Sequence, residues 1–87
     1  MINAVIMQEI DSVATVIKKV SAGEDVTYIL NGKPVEIKAN SDIPDNHKIA
    51  VKNVIKGEAV FKYGEKIGYA TADIYVGDHV HTHNLDN

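Results

Sequence analysis

The stretch Gly77-Asp78-His79-Val80-His81-Thr82-His83-Asn84 holds three of the chain's four histidines, each two residues from the next. Imidazole titrates near neutral pH and is a common ligand for divalent metals, so this spacing admits acid–base or metal chemistry. On an extended strand, residues two apart lie about 6.5–7 Å from each other on one face. His79, His81 and His83 would then share a face, with Val80 and Thr82 on the other. A two-apart pair such as His79 and His81 can reach one divalent ion, whereas three on a straight strand converge poorly. A further carboxylate or water, which a partner chain can supply, would have to complete the set. The plainer reading is a solvent-facing polar strand end. The fourth histidine, His47, precedes Lys48 and so joins a titratable ring to a fixed positive charge; its plainer reading is a surface histidine at a loop edge.

Several elements must position these groups. Ile2 to Met7 reads as a first strand. Asp11 and Ser12 can cap a helix to about Val20, because Val13, Val16, Ile17 and Val20 form an i, i+3, i+4, i+7 stripe and Lys18 and Lys19 suit its C-terminal dipole. That helix is short and β-branched, so packing rather than propensity would have to hold it. Val26-Thr-Tyr-Ile-Leu30 and Lys33-Pro-Val-Glu-Ile-Lys38 flank Asn31-Gly32, a strong hairpin signal. Ala39 to Asn46 is a loop rich in turn formers, and short strands follow at HKIAV, AVFKY, IGYAT and HVHTH. A weak repeat underlies this order. Val20-x-x-Gly23-Glu24-x-Val26, Val54-x-x-Gly57-Glu58-x-Val60 and Ile74-x-x-Gly77-Asp78-x-Val80 share one pattern, in which Gly makes a turn that enters a strand. Their unequal spacing rules out a solenoid and predicts three similar corners in a bent β domain.

Composition bounds the function. The chain has 87 residues, enough for a single domain (1–87) with a small core. It contains no Cys, which removes disulfides and thiolate metal sites. The charge is −3, from nine Lys, no Arg and twelve acids, and lacks the Arg forks and basic stripe expected of a nucleic-acid binder. No apolar run approaches the roughly 20 residues of a membrane span. The acidic N-terminus does not read as a signal peptide, so a cytoplasmic protein is expected. So short a chain would leave much of any catalytic site to a partner.

Asn46 to Asn84 resembles the SAF domain of the altronate and galactarate dehydratase family. The likeness rests on His47-Lys48, on Lys62-Tyr63-Gly64-Glu65-x-Ile67-Gly68 and on Gly77 to Asn84, matched in order and spacing. The resemblance implies a β-clip fold, which with the helix read above makes a mainly β domain with one short helix. It also implies a hydro-lyase acting on a sugar acid, with iron or manganese in the complete enzyme held mainly by a large catalytic chain. Because the chain stops at Asn87, where a fused enzyme would continue, that large chain is expected to be separate and this one inactive alone; self-association is also open. Related lyases acting on sulfolactate have a similar small subunit, so the resemblance does not fix the substrate. In dehydration a base removes the proton α to a carboxylate, an acid protonates the leaving hydroxyl and a cation holds the enolate charge. The roles the resemblance implies are catalytic for His81, His83 and His47, substrate-binding for Lys48, Lys62 and Asn84, and metal-binding for His79 and His81. Lys66 is a further candidate for attracting the anionic substrate. Tyr63 reads as packing, Gly64 as a tight turn and Gly68 as a close strand crossing. A purely structural assembly module is the rival reading.

Overall fold

A computed structural model describes residues 2–86. Its elements are β1 (Ala4–Val5), β2 (Val13–Val16), β3 (Asp25–Leu30), β4 (Lys33–Lys38), β5 (Lys48–Ala50), β6 (Ala59–Lys62), β7 (Glu65–Ala70), β8 (His79–Val80) and β9 (Leu85–Asp86). They form an antiparallel sheet in the order β1-β2-β5-β8, the hairpin β3-β4 and a three-stranded sheet β6-β7-β9. This is the mainly β architecture expected. Among the described residues no helix is long and apolar enough to cross a membrane.

The expected helix over Asp11–Val20 does not form; the segment is β2 followed by bends and an isolated bridge between Val20 and Ile43. The β-branched residues Val13, Thr15 and Val16 suit a strand, and the expected capping groups are engaged elsewhere. The Asp11 carboxylate accepts hydrogen bonds from the backbone N–H groups of Gly64 (2.7 Å), Gln8 (3.0 Å) and Met7 (3.2 Å). Ser12 donates its N–H to the Phe61 carbonyl, and its hydroxyl accepts from the Phe61 N–H. Ile17, placed on the apolar helix stripe by spacing, is 54% exposed. The first strand likewise shortens to Ala4–Val5.

The Asn31-Gly32 hairpin is present, as is a second one turned by Tyr63-Gly64; all four turn residues have positive φ, as primed hairpin turns require. The close crossing expected at Gly68 is also present, since a Cβ there would fall 2.3 Å from the Asp86 carbonyl oxygen. Two apolar clusters fill the interior. One centres on Val16, Val20, Val26, Ile43 and Ile49, the other on Val13, Val54, Val60, Ile74 and Val80.

The repeated pattern folds into the same corner each time. Gly23, Gly57 and Gly77 take φ of +87°, +92° and +95°, a region open to Gly at no steric cost. In each corner the following acid folds back onto a backbone N–H three residues earlier: Glu24 on Ser21, Glu58 on Ile55, Asp78 on Tyr75. The apolar residues that open and close these corners are all buried. A fourth corner, not apparent from the Gly pattern, runs Ile43-Pro44-Asp45-Asn46-His47-Lys48-Ile49. Asn46 (φ +65°) replaces Gly, and His47 stands where the other corners have an acid. The residue three before it is Pro44, which has no N–H to satisfy, so no acid is needed at that position. The backbone N–H of His47 still closes the turn on the Pro44 carbonyl.

Candidate functional site

The fourth corner turns the chain into β5, and β5 pairs with β8 in the register Lys48↔Val80, Ile49↔His79. That pairing brings His47-Lys48 against the histidine-rich segment more than thirty residues later. His47 Nδ1 and His79 Nε2 lie 2.9 Å apart and share a hydrogen bond. One of these two nitrogens must therefore be unprotonated. The His81 ring stacks on His47 with centroids 4.5 Å apart, and His83 lies beside His79 at 5.3 Å. His47, His79 and His81 each offer a ring nitrogen, and these three atoms all lie within 4.8 Å of one another.

The geometry replaces the straight strand face expected for HVHTH. Only His79 and Val80 are extended, and the chain then turns through residues 81–84. Asn84 makes this turn. Its side-chain oxygen accepts the His81 N–H and its amide donates to the His79 carbonyl, each at 2.9 Å, while its backbone N–H closes on the His81 carbonyl. The turn is what folds His81 back toward His47 instead of carrying it onward. The Asn84 side chain, expected to meet substrate, is largely buried and holds the turn. His83 is exposed at its tip.

Lys48 and Lys62 set positive charge on one side of the cluster. Burial lowers the pKa of Lys48, and repulsion from Lys62 lowers it further. Partial burial also lowers the pKa of His79, helped by positive charge on His47, His83, His81 and Lys48. His81 shifts the same way, by loss of solvent first and then by the charges of His47, Lys48 and His83. Both rings are thus biased toward the neutral form, in which imidazole acts as base or ligand. Lys62 additionally lies 5.1 Å from the centre of the Tyr63 ring. Lys66 is turned to the Tyr69 hydroxyl, 2.8 Å away, on the β7 surface.

Two further residues border the ridge. Thr15 lies directly across from Lys48, and the Tyr63 hydroxyl reaches Thr15 Oγ1 at 3.2 Å. Tyr63 holds a positive φ next to Gly64, whose N–H is fixed by Asp11. On the other side of His79 an open cleft of about 600 Å³ is lined by Asp42, Asp73, Asp78, His79, His83 and Asn84, among others. One oxygen of Asp42 accepts the Ala22 N–H, one of Asp73 accepts the Lys56 N–H, and Asp78 accepts from Tyr75 and Asn40.

Of the candidate residues, the structure thus brings His47, Lys48, His79 and His81 together, sets Lys62 within electrostatic reach, leaves His83 at the rim and assigns Asn84 to the turn. The sequence carried a signal for His47: a histidine in the acid position of a Gly-acid corner, preceded by a proline that removes the need for the acid. The convergence of Thr15 and Tyr63 carried no local signal, because it depends on how β6-β7 docks on β2.

The donor set tests the metal that the resemblance implies. Three imidazoles without a carboxylate suit ions such as Fe²⁺, Co²⁺, Ni²⁺ or Zn²⁺ better than Mn²⁺, which favours oxygen. The residues present fit iron.

Comparison with known proteins gives a consistent set of relatives. The sequence model of the altronate/galactarate dehydratase SAF domain matches residues 2–87. The chain is 39% identical over 75 residues to an altronate dehydratase of Escherichia coli (strain K12), and 35% identical over 74 residues to one of Bacillus subtilis (strain 168). These alignments cover 86% and 85% of this chain but only 14% of each dehydratase. A (2R)-sulfolactate sulfo-lyase subunit alpha of Paracoccus pantotrophus is 52% identical over 46 residues, covering 53% of this chain and 69% of that subunit.

Proposed function

The chain belongs to the altronate/galactarate dehydratase SAF-domain family, and we propose that it is the SAF-type small subunit of a sugar-acid lyase, working with a separate large catalytic chain. On this reading it docks on that chain and turns its histidine–lysine ridge toward the shared active site. The observation that carries the reading is the convergence of His47-Lys48 with His79 and His81 from two distant segments. Both segments lie within the stretch Asn46 to Asn84 on which the sequence resemblance rests. The likeness to a protein named subunit alpha, 69% of which the alignment covers, supports a two-chain arrangement.

The ridge supplies what removal of water from a sugar acid needs. Lys48 and Lys62 attract the substrate carboxylate, overcoming locally the net charge of −3. A neutral imidazole from His81 or His47 accepts the proton α to the carboxylate, and a protonated one returns a proton to the departing hydroxyl. The His47–His79 hydrogen bond gives the pair a route to exchange that proton. His83, at the rim, contacts the leaving group or the partner. A divalent ion in the complete enzyme would hold negative charge that develops on the substrate carboxylate and enolate oxygens.

The test is reconstitution with a large dehydratase chain, reading both co-elution and turnover of altronate. His47→Ala and His81→Ala should lower kcat by roughly 10²-fold or more, the usual worth of a positioned acid or base, while co-elution persists. Unchanged turnover in both variants would favour the assembly-only module and sink the catalytic reading. The likeness to the sulfo-lyase subunit favours a second substrate, and sulfolactate should be assayed beside altronate. There the same ridge would assist loss of sulfite rather than water.

A further inference from the structure

We propose that His47, His79 and His81 form an open-sided site that binds one borderline first-row divalent ion within this chain alone. The inference concerns the same ridge as the proposed function but does not depend on a partner. With the ion bound the His47–His79 hydrogen bond is gone, so the proton exchange described above belongs to the ion-free ridge. It differs from the sequence expectation in two ways: His47 joins the set, and the partner is not needed to hold the ion.

The geometry is nearly that of a ligand set. With metal–nitrogen bonds of about 2.0–2.1 Å, neighbouring ligand nitrogens lie about 2.8–3.4 Å apart in octahedral or tetrahedral sites. His47 Nδ1 and His79 Nε2 are already 2.9 Å apart. The third nitrogen lies within 4.8 Å of both, on a residue that follows the two-residue strand β8 and is only half-buried. A shift of roughly 1.5 Å at His81 closes the set. Ion binding replaces the shared His47–His79 hydrogen bond, and the proton in it moves to the other nitrogen of the same ring. Both ligands stay neutral and no net proton need be lost.

The surroundings select the ion and leave room for a ligand. Imidazole donors favour zinc, iron, cobalt, nickel or copper over magnesium, calcium or manganese. None of the three ligands carries a negative charge, so the bound ion keeps its full charge, and Lys48 adds to it. The open positions therefore suit water or an anionic oxygen such as a carboxylate, as in catalytic rather than closed structural sites. Asn84 fixes the turn that presents His81, which makes it the positioning residue of the site.

The test is titration of the full chain with Co²⁺, following its visible absorption, and with Zn²⁺, following imidazole ¹⁵N resonances. One Co²⁺ should bind per chain, and Zn²⁺ should move the ring signals of His47, His79 and His81 more than that of His83. His47→Ala, His79→Ala and His81→Ala should each weaken Co²⁺ binding at least about tenfold, since even second-shell changes at metal sites cost roughly 10–100-fold. His83→Ala should change it less than about threefold. The ¹⁵N experiment uses the unsubstituted chain, so a variant that fails to fold does not shield the inference. Absence of saturable binding, or binding retained in both His47→Ala and His79→Ala, overturns it. The proposed function fails separately, by unchanged turnover of the reconstituted enzyme.

Discussion

Asn84→Ala separates a positioning role from substrate contact. The Asn84 side chain is 8% exposed, and its oxygen and amide each make one backbone hydrogen bond at 2.9 Å within the histidine turn. Alanine removes both partners and leaves the His81 N–H and the His79 carbonyl without them. A net hydrogen bond is worth about 0.5–1.5 kcal/mol, and a buried group left unpaired costs about 1–3 kcal/mol. Because the turn lies at the surface, water recovers part of this, and the expected loss is about 2 kcal/mol. For a domain of this size that corresponds to a fall in Tm of roughly 8–16 °C, measured by calorimetry or circular dichroism. Asn84→Asp should destabilise at least as much, because it keeps the acceptor for His81 N–H but sets a carboxylate against the His79 carbonyl. Co²⁺ affinity should fall in both variants as His81 loses its position. If Asn84 instead contacts substrate, both variants melt like the parent and only KM rises in the reconstituted enzyme. A loss below about 0.5 kcal/mol with unchanged Co²⁺ affinity would refute the reasoning.

Four further changes test the frame around the site. Asp11→Asn should cost about 2–4 kcal/mol, measured by urea unfolding, because its carboxylate accepts three backbone N–H bonds and hydrogen bonds to charged groups are worth about 1.5–3 kcal/mol each. Burial raises the Asp11 pKa, but bonds from Gly64, Gln8, Met7 and Tyr63 outweigh it and hold it below the ordinary 3.8. As pH falls below 3.8 the unfolded chain takes up a proton that the folded chain refuses, so stability drops until the folded pKa is passed. In Asp11→Asn that part of the acid slope should vanish, and a slope identical to the parent's would count against the network. Gly77→Ala places a Cβ 2.3 Å from the Lys38 carbonyl at φ +95°, whereas Gly23→Ala and Gly57→Ala meet open space at similar φ. All three should pay the left-handed penalty of about 1–2 kcal/mol, with Gly77→Ala clearly the worst; equal urea midpoints would show that the contact relaxes freely.

Much of the framework was legible because it is local. Asn31-Gly32 turns its hairpin, Gly64 sits in a tight turn, and the three Gly-acid corners form as their spacing suggests, each closed within a few residues. The misread helix shows the opposite case. The i, i+3, i+4, i+7 stripe over Val13–Val20 is real, but Asp11 and Ser12 bond to the distant Gly64 and Phe61 instead of capping a first turn. Periodicity cannot see partners fifty residues away, and β-branched residues yield readily to a strand when a sheet edge is available.

By itself the sequence determined which chemistry is available. It offers histidines and lysines without Cys or Arg, a run of imidazoles near the C-terminal end, and corners that fold on their own residues. It also carried the family likeness. Only the tertiary structure decided which of those groups meet. The β5–β8 register sets His47 against His79, and the Asn84 turn folds His81 back onto them. His83, equal to its neighbours by spacing, is left at the rim. The reason is physical: strand pairing across thirty residues and a turn fixed by one buried amide are non-local events, whereas a two-residue spacing states only where side chains would point if the strand ran straight.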